Sequence, residues 1–256
     1  MSKEQIEQFI HNGFVRIDNA FSTKTARQVR DILWQDLPCR RDDPATWTQP
    51  VIRLGMYALA PFVEAANTPV LHAAFDQLVG PGRWIPCRNM GTFPVRFPST
   101  DNPGDTGWHV DASFPGADPA DFFEWRINVR SRGRALLMLF LFSDVGERDA
   151  PTRIRIGSHR DVARILRTAG DEGLSFRDLA GKLEDLPHKT ETLATGPAGT
   201  VYLCHPFLVH SAQPHTGTEP RFLAQPPLLL HDALTLEHSE TGYSPVEEAI
   251  RQALLV

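Results

Sequence analysis

The chain has 256 residues, and its 41% hydrophobic content is enough to bury a core and is typical of a soluble globular protein. A formal net charge of -5 gives no reason to expect nucleic acid as a partner. The three cysteines are scattered, which favours reduced thiols in a cytoplasmic protein over a disulfide framework or a zinc knuckle. No apolar window reaches the length of a membrane span and the N-terminus lacks a signal core, so we expect no membrane association.

The first part of the sequence predicts helices that support a sheet. Apolar residues recur at helical spacing in three segments bounded by a capping residue or a glycine: residues 3–12, 23–35 and 69–79. A short strand is predicted at residues 14–17. We expect residues 1–82 to form a helical buttress.

From residue 83 onward the pattern changes to short strands separated by turns. Extended segments are predicted at residues 83–97, 125–130, 135–142, 199–210 and 221–225. Helices are predicted at about residues 161–186 and 245–254. The turn-rich link before Arg221 predicts a hairpin that would place this arginine beside the strand carrying His210. Together these elements predict one domain, mainly β with helices, with a barrel or a sandwich at residues 83–232 and a C-terminal helix at 244–255.

A candidate metal site lies at His109 and Asp111. In an extended segment the side chains of residues i and i+2 point the same way, so this pair can present an imidazole and a carboxylate to one point. With His210 as a third ligand, the set matches the two histidines and one carboxylate that hold non-haem Fe(II) and leave positions open. The sequence therefore predicts a metal site formed by these three residues.

Two other stretches contain a similar spacing. His159 and Asp161 lie where a loop leads into a helix, on which residues two apart face different sides, so Asp161 is better explained as a carboxylate near a helix N-terminus. His238 and Glu240 have no downstream histidine to complete a site. The remaining histidines belong to no comparable group.

Several stretches carry a resemblance to a known family. They are Phe-Ile-His-Asn-Gly-Phe-Val at residues 9–15, Trp-His-Val-Asp at 108–111, Phe-Ser-Asp-Val at 142–145, Gly-Ser-His at 157–159, and the run from His205 to His215 with Arg221 after it. In their order and spacing the chain resembles the phytanoyl-CoA dioxygenase family of iron- and 2-oxoglutarate-dependent oxygenases, from about residue 4 to the C-terminus.

The resemblance implies a double-stranded β-helix, a jelly-roll barrel with the metal in its mouth. It implies that His109, Asp111 and His210 bind Fe(II), with 2-oxoglutarate and molecular oxygen as cosubstrates. Arg221 would hold the distal carboxylate of 2-oxoglutarate, and a guanidinium fork suits that carboxylate. Arg53 stands where relatives place a basic residue near the cosubstrate.

The expected function is oxidation, most simply hydroxylation, of a small organic molecule with release of succinate and carbon dioxide. Related halogenases have a small residue in place of the carboxylate, so Asp111 favours hydroxylation, desaturation or ring chemistry over halogenation. An anionic or carrier-tethered substrate is one interpretation of the arginines at 126, 130, 132 and 134, and a solvated hairpin face explains them equally well. Aromatic residues at 108, 114, 122, 123 and 125 suit either a substrate pocket or a core.

Two alternative functions stay open. One is a cupin-like metalloenzyme without 2-oxoglutarate, and the other is an inactive barrel that serves as a binding module. The sequence predicts no oligomeric state.

Overall fold

A computed structural model describes residues 1–187, 189–237 and 242–255, and it shows a mixed α and β chain with antiparallel sheets. The α-helices of these residues are α1 (Lys3–Asn12), α2 (Thr23–Asp36), α3 (Ala60–Ala66), α4 (Pro69–Val79), α5 (Ser158–Arg167), α6 (Phe176–Lys182) and α7 (Pro245–Leu254). Short 3-10 helices lie at Pro44–Thr46 and Phe122–Glu124. In the described part of the chain, no helix combines the length and apolar character needed to cross a membrane.

The strands form a large sheet and three smaller ones. They are β1 (Phe14–Ile17), β2 (Val51–Gly55), β3 (Trp84–Ile85), β4 (Thr92–Arg96), β5 (Arg126–Ile127), β6 (Arg134–Leu141), β7 (Arg153–Arg155), β8 (Leu174–Ser175), β9 (Glu191–Leu193), β10 (Val201–Cys204), β11 (His210–Ser211), β12 (Leu223–Ala224) and β13 (Pro227–Leu230). The large sheet has the order β1-β10-β6-β13-β3, and β12 also pairs with β6. The smaller sheets are β11-β7-β9, β2-β4 and β5-β8.

The long strand β6 is the centre of the core. All eight of its residues are buried, as its continuous apolar sequence predicts for a strand covered on both faces. Strand β10 pairs along one side of it, while β12 and β13 pair along the other. The sheet-forming part of the chain therefore begins before residue 83, since β1 from the expected helical buttress joins this sheet beside β10.

Local capping signals explain why the helix predictions agree with the structure. Helix α1 starts at a capping box between Ser2 and Gln5 and ends at Gly13, whose φ of 84° suits a glycine. Helix α4 has the predicted bounds, and α2 runs one residue past its predicted end. Helix α7 is likewise opened by a capping box, formed by Ser244 and Glu247.

The single helical region predicted at residues 161–186 is wrong. Helix α5 ends at Arg167, and α6 begins only at Phe176, after the short strand β8. Gly173 lies at this break with a φ of 64°, and a Cβ there would meet the carbonyl oxygen of Ile127 at 2.0 Å. The chain must leave the helix here because β8 pairs with β5, which no local pattern reveals.

Other strand predictions were too long or wrongly paired. The segment 83–97 splits into β3 and β4, and only two residues of 125–130 form a strand. A turn after His205 separates β10 from β11. The expected hairpin between 199–210 and 221–225 is absent, because β12 pairs with β6 instead.

Candidate metal centre

The backbone brings His109 and His210 together from segments about a hundred residues apart. The two residues form an antiparallel bridge in which each amide donates to the other's carbonyl at 3.0 Å. Asp111 follows two residues later on the same extended segment, so its side chain lies on the side of His109, as the spacing predicts. The bridge therefore fixes the three side chains relative to one another.

The three side chains present their ligand atoms to one point. The Nε2 atoms of His109 and His210 each lie 3.8 Å from Oδ1 of Asp111. Two atoms that each bind one ion at about 2.1 Å lie at most about 4.2 Å apart, so both separations are compatible with a shared metal ion. Among the described residues, this is the group of histidine, cysteine and acidic side chains whose ligand atoms all lie within 4.8 Å of one another.

Hydrogen bonds orient both imidazoles for metal binding. Nδ1 of His109 lies 2.9 Å from the carbonyl of Gly107, and Nδ1 of His210 lies 3.0 Å from the carbonyl of Leu208. Each Nδ1 therefore carries the proton and donates it, which leaves Nε2 as a lone-pair donor. Burial, with a smaller effect from His109, lowers the pKa of His210 to about 4, so its imidazole is neutral at pH 7. Its Nε2 is buried without a hydrogen-bond partner, as expected for a nitrogen that can bind a metal ion.

Arg134 holds the third ligand in place. Its guanidinium donates to Oδ2 of Asp111 at 3.1 Å and to the carbonyl of Ala112 at 3.0 Å. Burial alone would raise the pKa of the Asp111 carboxyl, but Arg134 and the imidazoles of His210 and His109 outweigh it and hold the pKa below its usual value. The carboxylate therefore stays charged, with Oδ1 directed toward the histidines. Sequence reasoning grouped Arg134 with three other arginines and did not identify this role.

Two buried arginines lie beside the metal centre. Arg96 and Arg221 form an antiparallel bridge, and each side chain is only 2% exposed. Arg221 donates to the carbonyls of Ala150 and Pro94, but its Nε has no partner, and Nε and Nη1 of Arg96 have none either. Burial and the charge of Arg96 lower the pKa of Arg221 to about 9, so its charge is costly without an anion nearby.

Asp105 supplies a carboxylate that contacts Arg96 and whose charge acts on Arg221. It accepts a hydrogen bond from Arg96 at 2.6 Å and another from Arg53, while its Oδ1 remains buried without a partner. One carboxylate thus faces the guanidinium groups of Arg53, Arg96 and Arg221, which leaves an excess of positive charge. Arg53 lies at the opening, with a side chain that is 52% exposed. A further anion would be strongly stabilised here.

The metal centre and the buried arginines open into one cavity of about 870 Å³. His109, Asp111, His210, Arg221 and Arg53 all line it, so the structure brings together every predicted site residue. Its walls also include aromatic side chains, namely Trp108, Phe122, Phe123 and Phe176. The sequence analysis did not identify Arg96, Asp105 or Phe176. The position of an arginine within a buried strand is a signal that could have identified Arg96.

The other sequence candidates lie elsewhere or have structural roles. His159 donates to the carbonyl of Ile10, whereas Asp161 pairs with Arg164 and Lys189. The side chains of His159 and Asp161 therefore diverge, as predicted. His188 and the stretch 238–240 lie outside the described residues. Arg126 bonds the carbonyls of Glu172 and Gly173, and Arg132 covers the ring of Phe114. Residues 126–134 form no hairpin, since β5 pairs with β8, and of the arginines at 126, 130, 132 and 134 only Arg134 lines the cavity.

Comparison with solved structures places this geometry in a known fold. HygX from Streptomyces hygroscopicus, with nickel, 2-oxoglutarate and hygromycin B bound, matches with a TM-score of 0.55 and 16% identity over 88% of this chain and 86% of its own. The non-heme alpha ketoglutarate dependent carbocyclase SnoK from nogalamycin biosynthesis matches with a TM-score of 0.55 and 17% identity over 94% and 89%. The epimerase SnoN, in complex with Fe3+, alpha ketoglutarate and nogalamycin RO, matches with a TM-score of 0.56 and 16% identity over 95% and 92%.

The chain shares the fold of these enzymes. No protein-family model matches the chain, and none of the curated proteins matches it in sequence. At this level of identity the likeness concerns the fold, and the bound metal and cosubstrate are properties of the neighbours. What this chain binds must be argued from its own residues.

Proposed function

We propose that the protein is an Fe(II)- and 2-oxoglutarate-dependent oxygenase that acts on a small organic molecule. One observation carries the proposal: a His-Asp-His group with an unpaired, buried imidazole nitrogen faces the same cavity as two buried arginines, whose guanidinium groups keep unpaired nitrogens although Asp105 pairs with Arg96. The binding of iron together with a dicarboxylate requires a metal site and an anion site in one cavity. The single-domain double-stranded β-helix expected from the sequence is part of this proposal, and the shared fold supports it.

In this proposal His109, Asp111 and His210 are the iron ligands. Two imidazoles and one carboxylate form the ligand set typical of non-haem Fe(II) oxygenases, and they leave positions open for cosubstrate and oxygen. The backbone carbonyls of Gly107 and Leu208 fix the imidazole tautomers, and Arg134 fixes the carboxylate. These contacts preorganise the site, so that binding an ion requires little rearrangement.

Arg221 and its neighbour Arg96 are proposed to hold the distal carboxylate of 2-oxoglutarate. Their unpaired guanidinium nitrogens are buried, where a charge-assisted hydrogen bond to a carboxylate is strong. Arg53 is proposed to assist from the opening, through Asp105. An arginine pair of this kind argues against the alternative of a metalloenzyme that works without an anionic cosubstrate.

The chemistry supplied by Fe(II) and 2-oxoglutarate, when bound, is activation of molecular oxygen for oxidation of a substrate, with release of succinate and carbon dioxide. We propose hydroxylation as the outcome, because the carboxylate of Asp111 occupies the position that related halogenases leave free. The structural neighbours include a carbocyclase and an epimerase, so the placement of the substrate carbon would select the outcome. The protein's own contribution is ligation of the metal and orientation of the cosubstrate in the cavity.

The test is a measurement of succinate formed from 2-oxoglutarate in air, with Fe(II) and without added substrate. The wild-type chain should form succinate slowly, and His210→Ala or Asp111→Ala should abolish it, because either change removes a ligand. His231→Ala is the control, since this histidine is exposed and lies outside the cavity. Wild-type rates in Asp111→Ala, or no succinate from the wild type, would contradict the proposal.

A further inference from the structure

We infer that the substrate presents a flat, apolar ring system without positive charge to an aromatic rim formed by Phe122, Phe123 and Phe176. The inference rests on the proposed function, since it names the class of molecule that the same cavity accepts. It is carried by the exposure of the rim, by its contact with His109 and by the charges that line the cavity.

The rim exposes aromatic surface where the cavity opens. Phe122 and Phe123 belong to the 3-10 helix Phe122–Glu124, and they are 47% and 53% exposed. Their ring centroids lie 5.2 Å and 5.8 Å from that of Phe176, so the three rings form one cluster. All three line the cavity. Large apolar side chains that stay exposed at the mouth of a cavity are typical of a binding site, because leaving them in water is unfavourable.

The rim adjoins the metal centre directly. The ring centroid of Phe176 lies 5.5 Å from that of His109, and His109 is the more exposed of the two histidines, at 24% against 2% for His210. A molecule stacked on the rim would therefore lie next to the most open ligand of the metal site. Offset-stacked and edge-to-face contacts with phenyl rings favour a flat aromatic partner over a saturated one.

The charges in the cavity disfavour a cationic substrate. Its acidic side chains, among the described residues, are Asp105 and Asp111. Arg53 and Arg96 occupy the first, and Arg134 occupies the second. Both carboxylates are therefore already paired with arginines, and four arginines line the same walls, so the described lining carries an excess of positive charge that disfavours an ammonium group. A neutral or anionic ring system meets no such penalty.

The experiment compares three ring compounds as probes by isothermal titration calorimetry with the full chain. They are 2-naphthol, which is flat and neutral, decahydro-2-naphthol, which has the same skeleton but is saturated, and naphthalen-2-ylmethylamine, which is flat and cationic. We expect 2-naphthol to bind about tenfold more tightly than either of the others. Equal affinity for the saturated or the cationic probe would overturn the inference, and so would no binding of 2-naphthol.

Variants locate the binding at the rim. The double change Phe122→Ala and Phe123→Ala should weaken 2-naphthol binding about tenfold, and Phe122→Leu should weaken it less but measurably, because it keeps apolar volume without a ring face. Val70→Ala is the matched control, since Val70 is 45% exposed and lies outside the cavity. Both phenylalanines are half exposed, so these changes leave the core intact. Unchanged affinity in the double variant would overturn the inference.

A paramagnetic readout separates this inference from the proposed function. With Mn(II) added to the chain, the NMR lines of bound 2-naphthol should broaden, because the rim lies beside the metal centre, and Asp111→Ala should remove the broadening. Binding by calorimetry without broadening in the wild type would refute the metal site and hence the proposed function. Broadening with no preference for the flat neutral probe would refute the substrate class alone.

Discussion

The proposed iron ligand Asp111 depends on Arg134, a residue that is not itself proposed to bind the metal. Asp111 offers Oδ1 to the proposed ion because Arg134 engages its Oδ2 and the Ala112 carbonyl at the same time. Arg134 is 9% exposed, so water replaces this contact poorly. A partner that orients a ligand in this way contributes to metal affinity without contacting the metal.

We predict that Arg134→Met weakens Mn(II) or Fe(II) binding about 10- to 100-fold. The methionine fills a similar volume but leaves Asp111 free to rotate and without its compensating charge. The measurement is anaerobic equilibrium dialysis, with Arg132→Met as the control, since this neighbouring arginine is exposed and packs on Phe114. An affinity in Arg134→Met that equals that of the control would show that Asp111 needs no such partner.

Among single residues, those with a local signal could be predicted from the sequence. The spacing of His109 and Asp111 sufficed to place both on one side of an extended segment. A buried-strand position marks Arg96, but its role and that of Asp105 could not be assigned, because both roles arise from pairing between distant segments. Ala150 illustrates the limit: it has a φ of 49°, in the left-handed region that favours glycine, although the residue is alanine. Its carbonyl accepts a hydrogen bond from Arg221, so this turn helps to hold the arginine in place.

At the level of elements, helix α5 is joined to α1 through a buried histidine. His159 is 1% exposed, and its Nε2 lies 3.1 Å from the carbonyl of Ile10 in α1. Its ring centroid is 4.9 Å from that of His205, which is also buried. Burial lowers the pKa of His159 to about 4 and lowers the pKa of His205 well below its usual value. The two helices therefore pack around neutral imidazoles.

This pair of histidines predicts that stability falls in mild acid. An unfolded histidine takes up a proton near pH 6.5, but folded His159 does so only near pH 4. The unfolded state therefore binds more protons between these values, and the free energy of unfolding decreases as the pH falls. For His159 alone the loss between pH 7 and pH 5 is about 2 kcal/mol.

The measurement is urea unfolding at both pH values, in the presence of a chelator. His159→Gln should show a smaller decrease than the wild type by roughly that amount, because glutamine can still donate to Ile10 but does not titrate. His231→Gln, at an exposed position, should behave as the wild type. An identical pH dependence in His159→Gln and the wild type would refute the contribution of this histidine.

Helices α1 and α7 were predictable because their ends are determined locally, as at Ser2, Gly13 and Ser244, whereas the break between α5 and α6 was not. Strand β1 was predicted with its observed bounds and β6 to within one residue. A strand of two residues such as β11 could not be predicted, because it is defined by its partner across the sheet and not by its own sequence. Arg221 shows the difference. It reaches the cavity as expected, but it does so through a bridge to Arg96, not through a hairpin with the strand of His210.

At the level of the whole molecule, the candidate site combines segments that are far apart in the chain. The proposed metal ligands come from the loop before β5 and from β11, while Arg96 and Arg221 come from β4 and from the segment before β12. Only the folded sheets bring the metal group and the anion group to one cavity. Their joint presence is the basis of the proposed function, so a test of joint binding examines the account most directly.

That test is an anaerobic titration of the full chain with Fe(II) and 2-oxoglutarate, in which the heat of binding is measured by calorimetry. We expect the wild type to bind one Fe(II) per chain, and to bind Fe(II) and 2-oxoglutarate each more tightly when the other is present. Asp111→Ala should lose iron binding. Arg221→Met should lose 2-oxoglutarate binding but retain iron binding. Iron binding in Asp111→Ala equal to that of the wild type, or iron and 2-oxoglutarate that bind the wild type independently of each other, would contradict the account.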